Sequence, residues 1–312
     1  MRLKEVLKII RSSFSKFGED KPIEQASTLA FFTILGIPPI LIIIISILGL
    51  IIGEQSATQE VYAQIKAIIG QEGTKLIRDI VKNYQNTERS TIGTIIGIII
   101  FIIAASTLFV TIQKSLNTIW SVKPKPKSNL LKVLIDRSLS FGVIISLGFI
   151  LLISLLIDAG VAILGNYLSD IIPWLSEALL YAADVVISIT MATIVFMILF
   201  KVLPDVKIKW KVTWVGALVT AILFTIGKFL IGYGLGNSDV GSMYGAAGSV
   251  VIVLLWVFYS SIILFFGAEI TQQYAEQIDR EIKPKDHAVL LETHEVEKEG
   301  GKATKKAEKE RN

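Results

Sequence analysis

Residues 246 to 272 read AAGSVVIVLLWVFYSSIILFFGAEITQ, twenty-seven positions with one ionisable side chain, Glu269. Wound as a helix at ~1.5 Å per residue, such a run reaches ~40 Å and outspans a ~30 Å hydrocarbon layer. It has no polar stripe to turn toward water, so it reads as a transmembrane helix. The Ser242-Met243-Tyr244-Gly245-Ala246-Ala247-Gly248-Ser249 stretch at its start carries the small residues that let helices approach closely in lipid. Five further apolar blocks, at 29–53, 91–112, 138–165, 178–203 and 212–235, are long enough to span. A transmembrane barrel would instead show short alternating strands. The composition agrees: of 312 residues 52% are hydrophobic and 19% charged, against ~25% charged in soluble domains. The fold expected is an all-α bundle of six spans.

Charge orients the bundle. Lys and Arg number six in residues 1–28, five in 54–90, six in 113–137, none in 166–177, four in 201–211, none in 236–245 and nine after 272. Alternate segments therefore hold 25 on one side and five on the other, with Lys228 alone inside a block. By the positive-inside rule both termini are cytoplasmic, and all six spans are needed to keep the signs in phase. No small-x-small cleavage site follows the long block from Leu29, so the first span serves as its own insertion signal.

The chain divides into an N-terminal segment (1–28), a membrane domain (29–275) and a charged tail (276–312) expected to be disordered or marginally helical. In the first, Leu3, Val6, Leu7, Ile10, Phe14 and Phe17 recur at helical spacing among Lys4, Lys8, Arg11 and Lys16. That pattern suits a helix on an anionic leaflet or one packed on the bundle. Segment 54–90 is external and amphipathic, reading as two short helices around Gly70 and Gly73.

Three stretches resemble the YihY/BrkB family of bacterial inner-membrane proteins, which older usage labels ribonuclease BN. They are Leu29-Ala30-Phe31-Phe32-Thr33 through Pro38-Pro39, then Leu203-Pro204-Asp205-Val206-Lys207-Ile208-Lys209-Trp210, then Tyr244 to Ser249 with Trp256 and Phe266-Gly267-Ala268-Glu269. The resemblance covers about 25–275. It implies six spans with cytoplasmic termini, a location in the bacterial cytoplasmic membrane, and links to envelope integrity, serum resistance and transport.

Catalytic signatures are sparse. Zero cysteines exclude disulfides, thiolate metal sites and cysteine nucleophiles. The two histidines, His287 and His294, lie in the tail, and the chain has no Walker loop, Ser-His-Asp set or HExxH. No metal, cofactor or nucleic-acid partner is expected, and the protein is not expected to be an enzyme. Membrane lipids, and an anionic lipid or envelope metabolite, are the expected partners; the oligomeric state stays open.

The informative residues are ionisable ones within apolar blocks: Asp158, Asp184, Lys228 and Glu269. Counted from the cytoplasmic ends, Asp184, Lys228 and Asp158 lie ~26, ~22 and ~28 Å up their helices. Lys228 would pair with Asp184, or with Asp158, beside an outward-opening polar cavity near Tyr244; alternatively the two aspartates sit at the external interface. Glu269 either carries a coupled ion or caps the bundle near Lys201 or Lys207. Pro38-Pro39 should kink or break the first span, and Gly232 and Gly234 should give the following turn a hinge. These features suit a transporter or lipid-handling protein for an anionic or amphiphilic substrate; a non-transporting envelope scaffold and a membrane ribonuclease are the alternatives.

Overall fold

A computed structural model describes residues 3–86, 107–125, 173–236, 244, 247–278 and 282–291. In chain order they form α1 (Leu3–Glu19), α2 (Pro22–Ile52), α3 (Glu54–Asn86), α4 (107–119), β1 (Val122–Pro124), α5 (Pro173–Val202), α6 (Trp210–Gly236), α7 (Gly248–Ile278) and β2 (Ala288–Leu290). Three helices among these residues are long and apolar enough to cross a membrane: Tyr181–Val202 within α5, Trp210–Ile231 within α6, and all of α7. The expected first span is part of α2, while the block at 138–165 and most of that at 91–112 lie outside the described residues. Val186, Ile222, Ile226, Phe229, Leu230 and Leu255 are exposed on these three helices. Such outward apolar side chains are unfavourable in water and cost nothing against acyl chains, which are equally apolar.

The seam between α6 and α7 shows why small residues recur. Thr220 donates its hydroxyl to the Gly216 carbonyl (2.7 Å) and Thr271 to that of Gly267 (2.6 Å). Each threonine stands against the other helix's glycine, so a Cβ on Gly216 would lie 1.8 Å from Thr271 Oγ1 and one on Gly267 1.9 Å from Thr220 Oγ1. Further along, the Tyr259 ring lies on Gly227 and its hydroxyl donates to the Leu223 carbonyl at 3.3 Å. Partner numbers rise on one helix as they fall on the other, so the helices are antiparallel. α5 joins through Phe196, whose ring meets that of Phe224 at 5.7 Å.

One backbone expectation is corrected. α2 remains helical through Pro38-Pro39 instead of breaking there. A proline removes only its own amide from the ladder, and the turns on either side keep theirs. α6 continues through Gly232 and Gly234 to Gly236. Glycine permits a helix as well as a turn, and in lipid the helical choice satisfies every amide.

α3 bends sharply at Gly70, whose φ of 75° and ψ of −176° are open essentially to glycine alone. The Arg78 guanidinium lies 5.3 Å from the Tyr62 ring centroid, although sixteen residues of straight helix would separate them by ~24 Å. The two arms are therefore folded back on each other. Ala57 and Val61 from one arm and Ile77 and Val81 from the other pack with Ile44, Ile45 and Leu48 of α2. Gly70→Ala should cost about 1–3 kcal/mol of strain, read as a lowered melting temperature in detergent. Gly18→Ala, with open space around it, should leave melting unchanged.

The tail also departs from expectation. Residues 282–291 are folded, not disordered: β2 pairs antiparallel with β1 (Val122 with Leu290, Pro124 with Ala288), and Val206 bridges to Pro284. The segment is polar, but it finds backbone partners on two loops and buries Ala288.

Candidate functional site

The end of the bundle rich in lysine brings together three segments far apart in sequence: the end of α4 with β1, the 203–209 loop, and the tail. Asp205 lies at their junction and is almost fully buried. Its Oδ2 accepts from Asn117 Nδ2 (2.9 Å) and its Oδ1 from Gln113 Nε2 (3.4 Å), while His287 Nε2 stands 2.8 Å from Oδ1. The Asp205 amide in turn donates to Asn117 Oδ1 (2.8 Å), and its carbonyl accepts from the Lys285 amide (2.9 Å). Burial lowers the Lys285 ammonium from its ordinary pKa, against the opposing pull of Asp205. The exposed Asp286 carboxyl is held below its ordinary pKa by the hydrogen bond and charge of Lys207, 2.8 Å away. With Asn117 and His287 both on one carboxylate, Asp205 acts as the clasp that holds the tail.

A second polar cluster lies where α1 crosses α7, seated by Phe14 and Phe17 against Phe266. Glu269 is completely buried there; its Oε1 accepts from Gln273 Nε2 at 3.4 Å and its Oε2 has no hydrogen-bond partner among the described residues. Ser12 donates to Gln273 Oε1 (2.6 Å), Gln273 also donates to Gln272, and Lys16 stands 3.8 Å from Glu276. The charges that act on Glu269 are those of Lys16, Asp20 and Glu276. Burial raises the Asp20 pKa, with Lys16 opposing, and the buried Asp20 Oδ2 and Ser13 Oγ also have no hydrogen-bond partner. Three unpartnered polar atoms thus occur on the facing elements of one interface.

Beside this cluster runs a groove of about 460 Å³ between the start of α2 and α4. Glu24, Gln25 and Thr28 form one wall, and Lys114, Ser115 and Thr118 the other. Gln25 connects the groove to the buried cluster by donating to the Asp20 carbonyl at 2.7 Å.

The residues singled out by sequence are scattered. Lys228 is half-buried on α6, and no described carboxylate pairs with it. The Asp184 side chain and the whole of Asp158 lie outside the described residues, so the proposed pairs do too. Tyr244 is exposed. By the antiparallel register of α6 and α7, Lys228 lies level with about residue 259, roughly 15 Å along the axis from Glu269. Lys201, offered as a neighbour of Glu269, instead donates to the Ile208 carbonyl and lies over the Trp210 ring. Among the described residues no group of three or more His, Cys, Asp or Glu is placed to hold a metal.

Residues 13–291 match the family described as Virulence factor BrkB. The chain belongs to that family. It is 27% identical over 261 residues to a UPF0761 membrane protein of Pseudomonas paraeruginosa, covering 81% of this chain and 59% of that relative. To a UPF0761 membrane protein of Aeromonas salmonicida it is 25% identical over 282 residues, covering 86% and 90%. The chain spans about three fifths of the length of the Pseudomonas relative. No solved structure matches. This is therefore a membrane protein of the BrkB family, as the resemblance implied. The BrkB match runs beyond the expected limit near residue 275 and takes in the described tail segment 282–291.

Asp205, Asn117, Ser12, Gln272 and Gln273 were not singled out by sequence reasoning. A signal existed for Asp205, an acid directly after Leu203-Pro204 at the end of an apolar block. The polar run Thr271-Gln272-Gln273 at the end of the last span was another.

Proposed function

We propose that this BrkB-family chain is a six-span protein of the bacterial cytoplasmic membrane, with both termini inside, that moves a charge-bearing amphiphile and is not an enzyme. The meeting of the lysine-rich segments at one end supports the orientation. The observation that carries transport is Glu269, wholly buried on a helix able to cross the membrane, with one carboxylate oxygen unpartnered. Ionisable groups in such positions are expensive and mark ion and substrate paths. A bare buried oxygen is a place that a proton or small cation can fill, which makes Glu269 the coupling group. Lys228, on the same bundle but ~15 Å away along the axis, would meet the acidic part of the substrate.

The test is lipid movement in proteoliposomes holding fluorescent phosphatidylglycerol or phosphatidylethanolamine, with a pH gradient imposed. Wild-type protein should speed transfer between leaflets. Glu269→Gln should remove the response to the gradient, and Lys228→Ala should slow movement by about tenfold, the worth of one charge-assisted contact. If wild type moves neither lipid nor protons while Lys228→Ala still complements a deletion strain, the scaffold reading replaces the carrier. Metal-dependent RNA cleavage by purified protein would favour the nuclease reading instead.

A further inference from the structure

The groove between α2 and α4 has a graded lining. Glu24, Gln25, Thr28, Lys114, Ser115 and Thr118 lie toward the lysine-rich end. Phe32 and Val110, with Thr107 and Thr111 beside them, line the groove one to two turns, or ~6–12 Å, further into the bundle. A charged mouth leading into this mixed wall has room for a phospholipid headgroup, and about 460 Å³ falls within the ~300–1,000 Å³ range of small-molecule sites.

Hydrogen-bond direction narrows the headgroup. Thr28 donates to the Glu24 carbonyl (2.8 Å) and Thr118 to the Lys114 carbonyl (3.0 Å), so both hydroxyls have spent their proton and offer acceptors alone. Gln25 gives one of its two amide hydrogens to the Asp20 carbonyl. Glu24 adds a carboxylate whose ion pair with Lys21 is long, 3.8 Å, and exposed on both sides. The Glu24 carboxylate and the Thr28 hydroxyl on this wall suit a ligand with N–H donors, and Lys114 opposite supplies a cation for a phosphate. A primary ammonium has three such donors and a trimethylammonium has none.

We propose that this groove holds a phosphatidylethanolamine headgroup, its ammonium against Glu24 and the Thr28 hydroxyl and its phosphate toward Lys114. The assignment rests on the amphiphile-handling reading only for the choice of a membrane lipid as occupant.

The experiment is native mass spectrometry of the full chain in detergent, with equal amounts of dioleoyl phosphatidylethanolamine, phosphatidylcholine and phosphatidylglycerol. Wild-type protein should retain phosphatidylethanolamine over phosphatidylcholine by about tenfold, the worth of one charge-assisted hydrogen bond. Glu24→Gln should bring that ratio near one, and Lys114→Ala should weaken retention of all three phospholipids. Both side chains are exposed, so the variants should melt with the wild type. Equal retention by wild type, a preference for phosphatidylglycerol, or an unchanged ratio in Glu24→Gln would each overturn the assignment. Selective retention by a protein that moves no lipid in proteoliposomes would sink the carrier and leave the groove standing; movement without selectivity would do the reverse.

Discussion

Gly216→Val should leave less than about a tenth of the wild-type amount of folded protein in the membrane, because it drives the α6–α7 seam apart. Even the first added carbon would lie 1.8 Å from Thr271 Oγ1 and 2.7 Å from its Cβ. Overpacking costs about 1–3 kcal/mol where neighbours can yield. Thr271 cannot yield easily: it is β-branched, stiff about χ1, and tied to the Gly267 carbonyl. The backbones must therefore separate, which also opens the reciprocal contact of Thr220 on Gly267. Loss of both contacts should bring the cost above about 3 kcal/mol. Fluorescence-detected size exclusion of membrane extracts reads the amount of folded protein. A double-mutant cycle with Gly216→Ala and Thr271→Ala should recover most of the loss suffered by Gly216→Ala alone, since the pair shares one volume. A Gly216→Val protein that extracts and melts like wild type would show that the seam is not closed in this way.

Asp205→Ala should release the tail and cost about 3–5 kcal/mol, as removal of one partner from a buried charged network does. Asn117 and Gln113 would lose their acceptor together, and His287 its partner. Hydrogen exchange should rise across 285–291, where the Lys285 amide is held by the Asp205 carbonyl and the Leu291 amide by that of Ser121. Lys207→Ala is the comparison. It breaks an ion pair at 2.8 Å with Asp286 in which both groups are largely exposed, and exposed pairs contribute little, so protection should not change measurably. Equal effects of the two substitutions would contradict the role given to Asp205.

The apolar blocks and the lysine asymmetry were legible because a membrane imposes rules that act on composition along one dimension: length against thickness, and charge against side. Gly70 was legible too, as the point between two amphipathic runs. The prolines misled, since Pro38-Pro39 carries a local cost that the rest of a 31-residue helix absorbs. The tail misled for the opposite reason: charge density argued for disorder, and two distant loops supplied the backbone partners and the acidic anchor that a local reading cannot see. Lys228 was conspicuous because its flanks are apolar, whereas Gln272 and Gln273 looked like ordinary polar residues at a helix end.

The amino-acid sequence alone determined that this chain is a helical membrane protein of the BrkB family, since hydropathy, spacing of small residues and family motifs are properties of a string. Only the tertiary structure decided that Asp205 meets Asn117 and His287, 88 and 82 residues away in the chain, and that Glu269 ends buried under α1 with an oxygen left bare. Burial and hydrogen-bond satisfaction depend on which elements close over a side chain, and that closure is set by long-range packing.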